Sequence, residues 1–173
     1  MNNRYLVLTA FALLPIVLVS AADKAALKAE LMQAEREFAA DVAKGDISAS
    51  FLKFMAPDGF APGDFALSRA ELAAKPAPPP PPAGFKLEWE PLYADASDDG
   101  TLGYTWGYFK ITTPPKDGKG DPRISLGMTL TIWKRQSDGS WKWVFDGGPQ
   151  VNGQKIKEFL QRADLPNKPS LLP

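Results

Sequence analysis

Three segments rich in aromatic and β-branched residues follow one another between Leu102 and Gly148. They read LGYTWGYFKI, ISLGMTLTIWKR and WKWVF, and Ser137-Asp138-Gly139-Ser140 separates the last two. Alternation with a period of two predicts β-strands, and an Asp-Gly pair between two such runs predicts a hairpin. Because large apolar side chains stand on both faces of these strands, we expect a curved antiparallel sheet whose faces are largely covered.

An earlier strand is predicted by the alternation of Phe85, Leu87 and Trp89, which share one face. Pro91 within this strand predicts an edge position or a β-bulge, because proline has no backbone N–H to donate to a neighbouring strand. Asp98-Asp99-Gly100 then predicts the turn that leads into the aromatic strands.

The N-terminal half of the chain has a helical pattern instead. From Asp23 to Lys44, apolar residues recur at spacings of three and four, which predicts an amphipathic helix with a buried stripe formed by Leu27, Leu31, Ala34, Phe38 and Val42. Gly45 favours the end of this helix, and Asp46 favours the start of a second one that reaches about Met55.

Two shorter helices and a connector are also predicted. Ser68-Arg69-Ala70-Glu71 has the pattern of a capping box for a third helix that Pro76 ends, and residues 155–162 predict a fourth. The proline-rich segment 75–82 predicts polyproline II structure, which we expect to be a stiff connector from helices to sheet. The alternative is a ligand for an aromatic-lined groove.

The first 22 residues have the pattern of a signal peptide. Arg4 precedes an apolar run over residues 5–19, and Ser20-Ala21-Ala22 supplies small residues for cleavage. A retained membrane anchor is the alternative, but the run is shorter than the ~20 residues that span a bilayer and Pro15 interrupts it. We expect export to the periplasm or the medium, one domain over residues 23–165 and a proline-rich tail over residues 166–173.

Composition excludes several function classes. The chain has 20 basic and 20 acidic residues, so no field of one sign is available to bind nucleic acid or an anionic membrane. We also expect no stable membrane insertion of the mature chain. It has no His and no Cys, which excludes Ser-His-Asp and Cys-His catalysis and removes the commonest metal ligand. We therefore predict no metal and no cofactor.

Four segments resemble a known superfamily: residues 34–39 (AEREFA), 89–91 (WEP), 102–107 (LGYTWG) and the hairpin 132–146. They are similar to the NTF2-like superfamily, in particular to exported proteins with a SnoaL-like or DUF4440-type domain. The resemblance implies an α+β cone in which N-terminal helices pack in a strongly curved antiparallel sheet that is open at one end. Some members are isomerases or cyclases and others only bind a molecule or a partner, so the resemblance does not fix an activity.

Aromatic side chains and one methionine on the strands are the predicted ligand-binding residues: Trp89, Tyr104, Trp106, Tyr108, Met128, Trp133 and Trp143. The alternative for each is that it packs the core or a dimer face. Alternation predicts Trp141, Trp143 and Phe145 on one side of the last strand, with Val144 and Asp146 on the other.

Asp146 and Tyr104 are the predicted catalytic residues. A half-buried Asp146 would have a raised pKa and act as a base, and Tyr104 would donate a hydrogen bond to a ligand oxygen. The alternative for Asp146 is a turn residue that bonds the backbone of Gly147-Gly148. Glu37 and Asp41 on the first helix are weaker candidates, for which a solvated position is the alternative.

We predict from these observations that the chain binds a small apolar or aromatic molecule without catalysing a reaction. The alternatives are an isomerase, cyclase or lyase with a pocket Asp and Tyr, and a dimeric protein-interaction module. A homodimer is predicted because the helices cannot cover both apolar faces of the sheet.

Overall fold

The structure is a computed structural model, and it describes residues 21–62, 67–76, 78–149, 151 and 153–161. Residues 1–20 of the predicted signal peptide lie outside the described residues, and so does the whole tail over residues 166–173. In chain order the elements are α1 Ala21–Val42, α2 Ile47–Phe54, β1 Phe60–Ala61, β2 Leu67–Ser68, α3 Arg69–Ala74, β3 Lys86–Ala96, β4 Leu102–Thr113, β5 Arg123–Arg135, β6 Trp141–Gly147 and α4 Gly153–Leu160.

The four long strands form one antiparallel sheet in the order β3-β4-β5-β6, and β1 and β2 form a separate small ladder. Each long strand pairs with its neighbour in sequence, so the sheet is a meander of hairpins. α1 packs against β3 and β4 on the face that we call concave, and the opposite face is called convex. The structure confirms the predicted α+β class with N-terminal helices inside a curved antiparallel sheet.

The buried stripe of α1 differs from the prediction at one position. Leu27, Leu31, Phe38 and Val42 are buried as expected, but Glu35 is buried beside them and Ala34 is only half-buried. Position 35 follows Leu31 by four residues and precedes Phe38 by three, so it lies on the same helical face. A carboxylate therefore stands within the apolar stripe.

Local capping explains where the other helices begin and end. Gly45 has a φ of 112°, and the Asp46 side chain accepts a hydrogen bond from the Ala49 amide at 2.9 Å, which confirms the predicted break and the start of α2. Met55 follows α2 as its C-cap. Ser68 and Glu71 form the predicted capping box of α3.

Two β-bulges alter which side chains share a face. The register between β3 and β4 shifts between Pro91 and Tyr93, which confirms the predicted irregularity at Pro91. A second shift lies between Ile132 and Trp133 in the pairing with β6.

The second bulge makes the predicted alternation of β6 wrong. Thr131 pairs with Asp146 and Trp133 pairs with Trp143, so Asp146 and Trp143 both lie on the concave face. Phe145 pairs with Ile132 and lies on the other side. One extra residue in β6 reverses the alternation between positions 143 and 146.

The two faces of the sheet are covered to different extents. The main core lies between the helices and the concave face and includes Phe38, Trp133 and Trp143, each with at most a trace of exposed surface. A smaller cluster on the convex face is buried beneath α4: Leu92, Tyr108 and Leu126, with Trp106, Val151 and Phe159 packed against it. None of the helices in the described part of the chain is long and apolar enough to cross a membrane.

Candidate functional site: a carboxylate in the concave pocket

A pocket of about 180 Å³ opens at the concave face between α2 and the sheet. Its walls are Phe51 of α2, four side chains of β3 and β4, the middle of β5, and the end of β6 with the residue after it: Leu87, Trp89, Phe109, Ile111, Thr129, Asp146, Gly147 and Gly148. Two of these wall residues, Trp89 and Phe109, face each other across the β3–β4 ladder as a directly opposed pair. Asp146 is the only ionisable side chain in this lining.

Gly127 lets Phe109 reach the pocket. The two residues are directly opposed on β5 and β4, and a Cβ atom at position 127 would stand 2.1 Å from the Phe109 ring. The Phe109 ring therefore occupies the space that a side chain at position 127 would fill.

The pKa of Asp146 is raised well above its ordinary value. Burial, followed by the negative charge of Glu35, raises the pKa of Asp146 to about 7, although hydrogen bonds from Thr131 and Thr129 act in the opposite direction. The Thr131 hydroxyl donates to Asp146 Oδ1 at 2.8 Å. The carboxyl group thus changes its charge near neutral pH at the wall of an apolar pocket.

Glu35 lies behind Asp146, away from solvent, and is 1% exposed. Trp89 Nε1 donates to Glu35 Oε1 at 2.6 Å, Trp133 Nε1 donates to Oε2 at 3.1 Å, and the Thr105 hydroxyl donates to Oε2 as well. Burial raises the pKa of Glu35, and these hydrogen bonds oppose that rise. The two indole N–H groups and the hydroxyl donate hydrogen bonds to the Glu35 carboxylate, which has no ion-pair partner among the described residues.

A row of side chains connects the two carboxyl groups. Thr105, Thr131 and Asp146 are directly opposed neighbours across β4, β5 and β6 on the concave face. Thr105 donates to Glu35 at one end of this row, and Thr131 donates to Asp146 at the other. The sheet register and the position of one residue on α1 together assemble this group.

No family model matches the sequence. No curated protein matches it either. Solved structures do match: a ketosteroid isomerase-like protein from Erwinia carotovora atroseptica SCRI1043 gives a TM-score of 0.54 at 16% identity, covering 72% of this chain and 95% of that one. An NTF2-like protein with a cystatin-like fold from Novosphingobium aromaticivorans gives a TM-score of 0.54 at 15% identity, covering 78% and 88%.

A third match, a protein from Catenulispora acidiphila in complex with S-DNPA, gives a TM-score of 0.53 at 14% identity and covers 78% of this chain and 99% of that one. The chain has the NTF2-like fold. At these identities the similarity concerns the fold, and the narrower DUF4440-type assignment stays a prediction.

Three of the seven predicted binding residues lie at or behind the pocket on the concave face. Trp89 lines the pocket and is 8% exposed, whereas Trp133 and Trp143 are completely buried in the core. The Phe38 ring packs on all three indoles with centroid distances of 5.0–6.5 Å. Trp133 and Trp143 therefore belong to the packed interior, and Trp89 is the one of the three that lines the concave pocket.

The other predicted binding residues lie on the convex face, away from this pocket. Tyr104 and Met128 are 37% and 43% exposed, Trp106 contacts Phe159 of α4 with a centroid distance of 6.0 Å, and Tyr108 is buried beneath that helix. Two open hollows of about 490 and 400 Å³ lie here, and they are lined by Tyr104, Trp106, Met128 and Leu130 among others. These hollows are larger than the concave pocket, but no carboxyl group with a raised pKa lines them.

Tyr104 and Asp146, the predicted catalytic pair, do not share a site. Tyr104 pairs with Ile132 and Asp146 pairs with Thr131, and successive residues of β5 point to opposite faces. Desolvation raises the pKa of Tyr104, so its hydroxyl stays protonated, but the sheet separates it from Asp146.

The two weaker candidates on α1 have structural roles. Asp41 binds Lys44 and Lys53 at 2.9 Å and accepts a hydrogen bond from Ser50, which joins α1 to α2 and lowers the pKa of Asp41. Glu37 is exposed and accepts a hydrogen bond from Gln33. Within the described ranges, no group of three or more acidic side chains is placed to hold a metal ion.

The sequence prediction missed Glu35, and the available signal was its position in the helical stripe. A Glu four residues after Leu31 and three before Phe38 interrupts an otherwise apolar face, and a charged residue there must find buried partners. The partners come from strands more than 50 residues away in sequence, so the pattern of α1 alone does not identify them.

Proposed function

We propose that the chain binds a small molecule of about the size of one aromatic ring in the concave pocket, with a polar group of the ligand facing Asp146. The observation that carries this proposal is an apolar pocket of about 180 Å³ with Asp146 as its only ionisable lining residue. A cavity of roughly 150 Å³ lined by apolar side chains is known to accept benzene, so the volume suits one ring. The complex of the Catenulispora acidiphila protein with S-DNPA supports ligand binding by a similar cone.

Filling the pocket tests this proposal. We expect one-ring compounds such as phenol or benzyl alcohol to change the tryptophan fluorescence, since Trp89 forms one wall. Ile111→Trp places a larger ring in the half-buried wall and should abolish binding. The matched control is Ile124→Trp, which makes the same change at a position 42% exposed on the convex side.

Thermal unfolding of both variants checks that they are folded. Binding that survives Ile111→Trp but not Ile124→Trp would move the ligand site to the convex face and contradict the proposal.

We propose an acid–base enzyme of the isomerase, cyclase or lyase class as the second candidate function. The pKa of Asp146, raised to about 7 beside a pocket, favours this role because a base works best when its pKa is near the working pH. Exchange of the α-protons of a cyclic ketone in D₂O, followed by NMR, tests it. An exchange rate that Asp146→Asn leaves unchanged would exclude Asp146 as the base.

We further propose that the chain forms a homodimer through its convex face. A band of apolar side chains there is 36–45% exposed: Tyr93, Leu102, Tyr104, Ile124, Met128 and Leu130. Exposed apolar surface of this kind favours association with a partner. Light scattering at micromolar concentration should give twice the monomer mass.

Export to the periplasm or the medium is the remaining proposal, and it is supported by the charged, apolar and small-residue segments of the first 22 residues. N-terminal sequencing of the exported protein should begin at Ala22 or Asp23. Recovery of the intact chain from the membrane fraction would contradict it.

A further inference from the structure

Two threonine hydroxyls stand in a row between two carboxyl groups behind the pocket. The Thr131 hydroxyl donates to Asp146 Oδ1 at 2.8 Å, and Thr105, its directly opposed neighbour on β4, donates to Glu35 Oε2. A hydroxyl has a single proton to donate. If both carboxyl groups were ionised, two negative charges would stand in this buried row with no described cation beside them.

The hydrogen bonds decide which group keeps the charge. Three donors already converge on Glu35, namely the indole N–H groups of Trp89 and Trp133 and the hydroxyl of Thr105. Among the described residues, Asp146 accepts a hydrogen bond from the Thr131 hydroxyl, and Thr129 is the other side chain whose hydrogen bonding lowers its pKa. Charge-assisted hydrogen bonds stabilise the ionised form of the better-supplied group, so the negative charge belongs on Glu35.

No described cation neutralises this pair. The ion pairs among the described residues involve other carboxylates, such as the pairs of Arg36 with Glu90 and of Arg135 with Glu30. Among the described residues, Glu35 is the only charged group that shifts the pKa of Asp146, and β4 and β5 contribute the threonines named above. From α2 and β3 the neighbouring pocket residues are apolar or aromatic: Phe51, Leu87 and Trp89.

We propose that Glu35 is a positioning residue that never touches the ligand: it shares one proton with Asp146 along the Thr105–Thr131 row, and so makes the pocket accept neutral ligands while Asp146 is protonated and cationic ligands once Asp146 is ionised. Protonated Asp146 donates a hydrogen bond to an acceptor oxygen. Ionised Asp146 binds an ammonium group, to which Trp89 and Phe109 add favourable cation–π contact. The ligand selection rests on the proposed function, whereas the proton sharing does not.

The titration of the carboxyl groups tests the proton sharing without any ligand. Carboxyl ¹³C signals, with Asp146 assigned from its loss in Asp146→Asn, should show that Asp146 titrates close to pH 7. The Glu35 signal should respond in the same step, because two coupled groups titrate together. An Asp146 midpoint at its ordinary value, or a Glu35 signal that does not respond, would overturn the proposal.

Two substitutions should move the Asp146 midpoint in opposite directions. Glu35→Gln removes the neighbouring negative charge and should lower the midpoint. Thr131→Val removes a hydrogen bond to the ionised form and should raise it. General loosening of the fold would instead admit water and lower the midpoint in both variants.

Glu37→Gln is the matched control for Glu35→Gln, because it makes the same change on an exposed face of α1. We expect no shift of the Asp146 midpoint in this control. A midpoint that stays unchanged in Glu35→Gln, or that falls in Thr131→Val, would contradict the proposed role of Glu35. If neither variant folds, the titration of the wild-type chain still decides.

The ligand selection is tested with two probes of nearly equal shape, benzylamine and benzyl alcohol. Calorimetry between pH 6 and pH 8 should show that benzylamine binds about tenfold more tightly at the higher pH, since its affinity follows the ionised fraction of Asp146. Benzyl alcohol should bind equally well or more weakly as the pH rises. Glu35→Gln should flatten the benzylamine dependence.

The outcomes distinguish the ligand selection from the proposed binding function. Benzyl alcohol binding with no pH-dependent gain for benzylamine would overturn the selection but leave the proposed binding function intact. Failure of both probes, with no other one-ring compound bound, would remove the binding function, while the carboxyl titration would still confirm or overturn the proton sharing.

Discussion

The concave and convex faces of the same sheet carry similar residues but differ in what covers them. Trp133 and Trp143 on the concave face are completely buried, whereas Tyr104 and Leu130 on the convex face are 37% and 40% exposed. α1 and α2 supply apolar side chains to the concave face, while α4 covers only one part of the convex face. Residue type alone thus leaves the role of an aromatic side chain open, because burial depends on the element that packs against it.

The faces also differ in their polar groups. The concave face holds two carboxyl groups with raised pKa values, in contact with indole N–H groups and threonine hydroxyls. On the convex face, Asp95 is paired with Lys28 at 3.3 Å and its pKa is lowered. The same chemical group is therefore part of an ion pair on one side of the sheet and a proton acceptor near neutral pH on the other.

The largest expected effect is the loss of a concave tryptophan. Trp133→Ala should lower the free energy of unfolding by about 3–5 kcal/mol, because it leaves a cavity and removes a hydrogen-bond donor to Glu35. Tyr104→Ala on the convex face should cost less than about 1 kcal/mol in the monomer. Urea unfolding at low protein concentration measures both, and equal losses would contradict the contrast between the faces.

Asp146→Asn should change how stability depends on pH. The folded-state pKa of Asp146, about 7, lies above the unfolded value, so the folded state binds more protons between about pH 4 and pH 7. The wild-type chain therefore loses stability as the pH rises through this range, and the variant should lose less, because only Glu35 then keeps a raised pKa at this site.

At pH 8 we expect Asp146→Asn to be more stable than the wild type by on the order of 2–4 kcal/mol, with a much smaller difference at pH 4. Urea midpoints measured across this range check the slope. Asp95→Asn on the convex face is the control, and because the pKa of Asp95 is lowered it should lose stability at high pH instead.

Gly127→Ala should disturb the pocket more than the fold. The added methyl group would meet the Phe109 ring, so the ring must move, at a cost of about 1–3 kcal/mol. One-ring ligands should bind more weakly because Phe109 is a pocket wall. A second change, Phe109→Leu, should recover part of the stability in the double variant but not the binding, and additive effects in this cycle would contradict the predicted contact.

The smallest effect on folding is expected for Leu130→Lys on the convex face, at less than about 0.5 kcal/mol. Leu130 belongs to the apolar band of the convex face and is 40% exposed. The positive charge of a lysine there should prevent association and give the monomer mass in light scattering. Lys119→Glu in the loop between β4 and β5 is a control that should leave the mass unchanged. A Leu130→Lys variant with the wild-type mass would argue against a dimer through this face.

Periodicity in the sequence was sufficient for most of the elements. Gly45, Asp46 and the Ser68–Glu71 box predicted helix boundaries correctly because capping depends on residues close in sequence. Pro91 predicted an irregular strand for the same kind of local reason, namely its missing backbone donor. By contrast, the bulge in β6 has no proline or glycine at the shifted position, and the predicted alternation from Trp141 to Asp146 was wrong there.

The sequence by itself determined that this chain forms helices followed by a curved antiparallel meander, and that Asp146 was a carboxylate worth testing, because spacing and turn chemistry are local. Only the tertiary structure decided which aromatic residues face the cone, that Tyr104 is separated from Asp146, and that Glu35 stands behind it. These relations depend on strand register, on one bulge and on the approach of α1 to strands far away in sequence. Such non-local packing sets burial, and burial sets the ionisation of the site.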